Sequence, residues 1–297
     1  MLIQRKKCDI FIIGCGVAGL SAALGAIEGG CWSVIAADCS SDTGGILNRC
    51  AHRGFGEFLT GKEYAERLLQ RLPGSAPEFL LRTTVISVTK DRVATAVSPI
   101  GVIEIEFREL IAALGSREVS PGALKLYGQH PKQIVTAGEI QEQLNLFGKV
   151  PEGRSVIVGA GDLGVIVARQ LFDMDHAPIC IIEKGTHSPA MAKNFRHCIK
   201  ETGISIRYRS TVCKAVGYPD LESVVIRNDD GKEDSISCEL LITAAGLVPE
   251  RGLISHLLNE DWVHLCGNCE KIYDIADTVV RESYPVGRHC AERIQHD

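Results

Sequence analysis

Two stretches of this chain carry the same pattern of apolar and polar positions. Residues 8–13 are apolar except for Asp9, which predicts a buried strand. A glycine-rich turn follows, then an alanine-rich apolar stretch over residues 20–28, read as a helix ended by Gly29 and Gly30. Residues 33–37 form a second apolar run, closing on Asp38. In mid-chain the pattern recurs: a strand over 154–158, a glycine turn, a helix over 165–172, and a strand over 178–182 closing on Glu183. Each is one βαβ unit. Strand-type runs over 83–89, 92–97 and 102–107 predict a meander. Runs over 204–208, 223–227 and 235–238 predict another, with Asp229-Asp230-Gly231 as its hairpin turn. Short apolar strands over 110–114 and 240–244 each run into a glycine, Gly115 and Gly246. Residues 116–132, rich in Pro and Gly, read as a crossing between domains.

The turns carry the chemistry. The first reads Gly14-Cys15-Gly16-Val17-Ala18-Gly19 and the second Gly159-Ala160-Gly161-Asp162-Leu163-Gly164. In this spacing the first glycine permits a tight turn, the second lets backbone approach a pyrophosphate, and the third lets helix pack closely on strand. The helix N-terminus offers free N–H groups and the positive end of its dipole. One such motif is weak. Here each follows a strand, opens a helix and has an acid about 20 residues on, Asp38 and Glu183, able to accept ribose hydroxyls. An acid at Glu183 fits the free 2′-hydroxyl of NAD and opposes the 2′-phosphate of NADP, although Lys184 stands beside it.

The bulk composition narrows the rest. A chain of 297 residues, 45% hydrophobic and 23% charged, can bury about two cores. The net charge of -5 and 5% aromatics argue against a nucleic-acid partner. Arg5, Lys6 and Lys7 ahead of an apolar stretch over 10–26 imitate a secretion signal, but Asp9 and the phosphate-loop glycines interrupt it. No other run is long enough to span a membrane. The 12 cysteines are scattered, many inside apolar runs, which predicts free thiols and a cytoplasmic location.

With the two units in place, the chain resembles the pyridine nucleotide-disulfide oxidoreductase class of two-dinucleotide-binding flavoproteins, along nearly its whole length. Its segment Gly44-Gly45-Ile46-Leu47-Asn48-Arg49-Cys50, then His52 and Gly54-Phe55-Gly56, is similar to the flavin-side loop of one subgroup. That subgroup comprises FAD/NAD-type subunits of multi-subunit amino-acid and opine dehydrogenases, hydrogen cyanide synthase, and glycerol-3-phosphate dehydrogenase-associated proteins. The segment from Ala113 to Glu118 resembles its first domain-crossing motif, and that from Leu240 to Glu250 the second. Cys266-Gly267-Asn268, followed by Asp274 and Asp277, resembles its C-terminal flavin motif.

The resemblance implies an α/β fold of two Rossmann-like domains: a discontinuous FAD domain of residues 1–117 and 246–297, and an inserted NAD(P) domain of residues 118–245. It implies FAD contacts from Gly14, Gly16, Gly19, Asp38, Gly45, Gly115, Gly267, Asn268 and Asp274. NAD contacts are implied from Gly159, Gly161, Gly164, Glu183 and Gly246, with NADP the lesser alternative. The implied activity is electron transfer between NAD(H) and a second redox protein subunit, in an oligomer. The chain departs from the subgroup after Gly56 and between Glu250 and Trp262, where it is shorter. Asp38 stands where Glu is more usual.

Catalytic side chains are not legible. Cys50, Cys266 and Cys269 are weak candidates, since Cys50 lacks a nearby partner and Cys266-Gly267-Asn268-Cys269 is the only Cys-x-x-Cys. Zinc or iron–sulfur ligation by that pair with Cys290 or His289 lacks a second close pair, so no metal is expected. Nothing in the sequence pairs His52, His197 or His289 with a catalytic partner. Two rivals stay open: an NADH-dependent dithiol–disulfide reductase using Cys266 and Cys269, and a non-catalytic structural subunit.

Overall fold

The computed structural model describes residues 3–296; residues 1, 2 and 297 lie outside the described residues. The chain divides into two compact units. One comprises the chain up to Arg117 together with the segment from Val248 onward; the other is Glu118–Leu247.

The first unit is built on a five-stranded parallel sheet in the order Val263–Leu265, Glu109–Ala112, Ile10–Ile13, Val34–Ala37, Glu78–Leu80. Side chains alternate across its strands. Ile10, Ile12, Val34, Ala36 and Ile111 face the helical layer, while Phe11, Ile13, Ile35, Ala37, Leu110 and Ala112 face the other way. That double coverage is why the strands are apolar without a break. The second face is covered by the expected meander, Thr84–Val88, Val93–Ser98 and Gly101–Glu106. A fourth strand, Ile3–Lys7, joins it parallel to Gly101–Glu106. Its basic residues thus lie within a sheet, with Arg5 and Lys7 paired to Glu104 and Glu106.

The second unit repeats the plan. Its parallel sheet runs Ile134–Thr136, Leu240–Thr243, Ser155–Val158, Cys180–Ile182, Ile206–Arg207. Ile157, Ile181 and Ile242 face the helices, and Val156, Ile182 and Leu241 face the meander. The run over 204–208 departs from the expected meander and does not open it; Ile206–Arg207 is the edge strand of the parallel sheet. The meander's own first long strand is Ser210–Val216, paired with Ser223–Asn228 and, through it, with Glu233–Ser237. Ser210–Val216 alternates buried and exposed residues with a register shift between Val212 and Lys214, which blurs its period in the sequence.

In both sheets the strand before the glycine loop is central, flanked on each side by strands reached through opposite crossings. Its C-terminal end is therefore a topological switch point, where open α/β sheets bind ligands.

The sequence pattern did not predict the 21-residue helix Ala276–His296, which packs along Val17–Glu28. The approach is backbone to backbone. A Cβ at Gly287 would sit 1.8 Å from the Ala22 carbonyl oxygen, and one at Gly25 would sit 2.1 Å from that of Tyr284. Ser21 Oγ donates to the Val280 carbonyl at 2.7 Å, and Tyr284 donates to Glu28. Gly287→Ala is expected to lower stability by about 1–3 kcal/mol through overpacking. Gly74→Ala, where a Cβ meets nothing within 4 Å, is the neutral control. Thermal or urea unfolding of the two variants measures the difference; equal midpoints would show that the helices can separate without cost.

Candidate dinucleotide sites

At both switch points the three glycines have separable roles. Gly14 has φ +106°, and a Cβ there would lie 2.3 Å from the Ala113 carbonyl oxygen. A Cβ at Gly19 would lie 1.9 Å from the Gly14 carbonyl oxygen. The fold demands glycine at both. Gly16 differs: its φ is -70° and a Cβ would meet only Gly45 Cα, at 3.9 Å. The second loop matches. Gly159 (φ +99°) and Gly164 would clash at 2.2 and 2.1 Å, whereas a Cβ at Gly161 meets nothing closer than Pro189 Cγ at 4.0 Å. No protein atom requires glycine at Gly16 or Gly161. The open space beside them is the room that a pyrophosphate pressed against the backbone would need.

Each of these glycines is the N-cap of its helix, and neither helix has a side-chain cap. The first turn of Val17–Glu28 carries no acid, so its N–H groups and dipole are left for an anion. Asp162 opens the second helix, but its Oδ1 accepts from the Met191 amide at 3.0 Å and from Asn194 at 2.7 Å.

The two acids occupy equivalent positions. Asp38 accepts from the Cys15 amide at 2.7 Å and the Ser40 amide at 2.8 Å. Glu183 accepts from the Ala160 amide at 2.9 Å and the Gly185 amide at 2.7 Å. Each oxygen takes one backbone donor and keeps a second lone pair able to accept a ribose hydroxyl. The carboxylates thus brace the glycine loops as well, a role that the spacing alone did not reveal.

The other implied FAD residues all belong to the first unit. Gly44 donates its amide to the Cys15 carbonyl at 2.8 Å, and a Cβ at Gly45 would lie 3.1 Å from Gly16 Cα. The Gly44-Gly45 turn is therefore a wall of the first loop. Gly267 has φ +68° and packs on the first helix, where its Cβ would meet Ala18 Cβ at 2.5 Å. Asn268 is held in place: its Oδ1 accepts from the Tyr273 amide at 3.1 Å. Arg251, absent from the sequence expectations, secures this turn by donating to the Cys269 carbonyl at 2.5 Å and to the Glu270 carbonyl. Gly115 (φ +70°) accepts from the Glu250 amide at 3.0 Å, and no atom lies within 4 Å of its Cβ position. Asp274 is exposed, whereas Asp277 accepts from the Tyr64 hydroxyl at 2.8 Å. In the second unit Gly246 (φ +108°) accepts from the Val119 amide at 2.9 Å and has equally open space around it.

The cysteine candidates look unlike redox centres. Cys266 and Cys269 are 1% and 0% exposed. Cys269 Sγ donates to the carbonyls of Ala112, at 2.9 Å, and Cys266, at 3.2 Å. Burial pushes both thiols above their ordinary range. Burial pushes Cys50 up to about 11, and its Sγ donates to the Ile46 carbonyl at 3.6 Å. A reactive cysteine needs a stabilised thiolate, and burial here favours the neutral thiol. All 12 cysteines are free. Among the described residues, no helix is long and apolar enough to cross a membrane.

The sequence pattern described as "Pyridine nucleotide-disulphide oxidoreductase" matches residues 8–277. One subunit of the opine oxidase of Agrobacterium tumefaciens is 26% identical over 274 residues, covering 82% of this chain and 53% of that protein. The alpha subunit of the sarcosine oxidase of Rhizobium meliloti is 24% identical over 84% of this chain and 25% of its own length. The chain thus spans about half the length of the opine oxidase subunits that it matches. Among solved structures, Lactococcus lactis thioredoxin reductase superposes with a TM-score of 0.77 at 17% identity, covering 98% of this chain and all of that one. L-proline dehydrogenase from P. horikoshii gives 0.73 at 19% identity, covering 100% of this chain and 57% of that one. At these identities the two structures establish a shared fold.

Proposed function

This chain belongs to the pyridine nucleotide-disulphide oxidoreductase family, a family of flavin-dependent oxidoreductases, and from that premise we propose that it holds FAD on its first glycine loop and NAD(H) on its second, passing electrons between NAD(H) and a redox centre on a partner subunit. The observation that carries this reading is the open glycine at Gly16 and Gly161, each between two glycines that the fold itself requires. Bound FAD supplies the two-electron chemistry that the side chains lack. The chain's part is to bind and orient. The N-terminus of Val17–Glu28 takes the flavin's pyrophosphate, Asp38 its ribose, and the Gly44-Gly45 turn limits the site. Glu183 and the second helix N-terminus do the same for the nicotinamide nucleotide. Anaerobic titration with NADH, following the flavin absorbance, tests it: bleaching is expected, and a purified chain that carries no flavin or does not bleach would overturn it.

The partner subunit is supported by the relatives, whose names describe them as subunits of opine and sarcosine oxidases. It is supported also by the thiols, since burial favours the neutral thiol at Cys50, Cys266 and Cys269 and the described cysteines form no disulfide that could take up electrons. The free thiols fit a reducing, cytoplasmic setting. The Cys266→Ser/Cys269→Ser double variant is expected to keep most of its NADH-to-dye turnover, because a hydroxyl can still donate to the Ala112 and Cys266 carbonyls. A wild-type chain that reduces a small disulfide unaided, and a double variant that does not, would favour the dithiol-reductase reading.

A further inference from the structure

Away from the glycine loops, the first unit gathers oxygen, nitrogen and sulfur donors in one buried place. Glu109 opens the strand Glu109–Ala112 and is 1% exposed. His264, on the neighbouring strand Val263–Leu265, is in register with Ile111, so its ring falls on the same face as Glu109. Cys290, 0% exposed, comes from the helix Ala276–His296. One ligand atom from each of the three residues lies within 4.8 Å of the other two.

The surroundings orient these donors. His264 Nε2 lies 2.6 Å from Glu109 Oε2. The other oxygen, Oε1, accepts from Arg293 Nε at 3.1 Å, and Arg293 also reaches Asp261 at 3.3 Å. Glu109 is thus anchored through one oxygen and presents the other to the histidine, as an outer shell fixes a metal-binding carboxylate. Of the three, His264 alone lines a surface cavity of about 450 Å³, together with Glu270, Pro285 and His289, and an ion would reach the cluster past its ring. The His289 ring stands edge-on to that of His264, with centroids 5.6 Å apart.

We propose that Glu109, His264 and Cys290 form a binding site for a divalent transition-metal ion of the zinc type. A tetrahedral ion about 2.0–2.3 Å from its ligands holds donors roughly 3.3–3.8 Å apart, which small side-chain movements here achieve. Mixed carboxylate, imidazole and thiolate donors suit zinc, whereas magnesium and calcium take oxygen ligands and would leave the sulfur unused. Charge balances as well. The ion and Arg293 offset the carboxylates of Glu109 and Asp261 and a Cys290 thiolate, so burial leaves no uncompensated charge. The fourth position opens to the cavity, for water or His289. The ion would tie the C-terminal helix to the sheet edge that leads through Leu265 into the Cys266–Asn268 turn. No spacing in the sequence marks it, because its three ligands come from three separate elements.

The test uses the full flavin-loaded chain, stripped of metal with a chelator and titrated with zinc against a chromophoric competitor. X-ray absorption of the zinc-loaded protein then reads the ligand shell. One zinc per chain is expected, with a single sulfur at about 2.3 Å. Cys290→Ser should remove the sulfur from the shell and weaken binding at least about tenfold. His264→Gln should weaken it by a similar factor with the sulfur retained. If Cys290→Ser does not fold, the partly exposed His264→Gln decides by itself. Failure of wild-type protein to retain zinc against the competitor would overturn the site. So would a shell of two or more sulfurs, or affinity unchanged in His264→Gln, and the cluster would then be an ion-pair network alone.

Discussion

Replacing Gly16 with valine is expected to strip the flavin from the chain while leaving it folded. The backbone at Gly16 is extended, at φ -70° and ψ -178°, which valine adopts without strain. The nearest protein atom to the new Cβ, Gly45 Cα, would be 3.9 Å away, an ordinary contact. The branched side chain would instead occupy the space in front of the helix N-terminus. A pyrophosphate kept from two backbone N–H groups loses charge-assisted hydrogen bonds of about 1.5–3 kcal/mol each, a loss of at least about 150-fold in affinity. Gly19→Ala supplies the contrast. Its Cβ would fall 1.9 Å from the Gly14 carbonyl oxygen, so fold and flavin should be lost together. Flavin absorbance per chain, read beside a melting curve, separates the two outcomes. A Gly16→Val chain with stoichiometric flavin would remove the first loop from the FAD site.

The second large effect expected is a preference for NADH over NADPH, set by Glu183. Its carboxylate is buried, at 8% exposure, and fixed by the Ala160 and Gly185 amides, so it cannot swing away from an incoming phosphate. It can accept ribose hydroxyl hydrogens but offers a 2′-phosphate only repulsion. A hydrogen bond to a charged group is worth about 1.5–3 kcal/mol, which sets the discrimination at roughly 10- to 150-fold. Stopped-flow reduction of the flavin by each nucleotide measures it. Reduction by NADPH as fast as by NADH would falsify the assignment and point to Lys184 as a phosphate partner. Glu183→Gln should narrow the preference. The amide oxygen can accept from only one side of the loop, so some loss of order around Ala160 is expected as well.

Much of this architecture is legible in the sequence. The apolar runs around Ile10–Ile13 and Ser155–Val158 need cover on both faces, and both faces are covered. The glycine spacing and the acids Asp38 and Glu183 mark where each strand gives way to a helix. The Asp229-Asp230-Gly231 turn follows from local chemistry, with Gly231 at φ +79°. Other features were not legible. Ile3–Lys7 is too polar to read as a strand and is one because Gly101–Glu106 offers it a ladder and opposite charges. Ala276–His296 has Pro285 in its interior, a residue that argues against a helix in any local reading. Its stability comes from packing on Val17–Glu28, which no local window contains.

The sequence by itself determined the doubled βαβ plan, the places of the two glycine loops and the acid that closes each unit. These depend on neighbours a few residues apart: a glycine's freedom of φ, a helix's free N–H groups, an acid at a strand's end. Only the tertiary structure decided which glycines the fold itself requires and which it leaves in open space, because that depends on the distance from an imagined Cβ to Ala113, Ala244 or Gly45. It also decided that Cys266 and Cys269 are buried thiols, since the cover comes from strands and helices remote in the chain. And it brought Glu109, His264 and Cys290 together, a juxtaposition created by strand pairing and helix packing and carried by no spacing in the sequence.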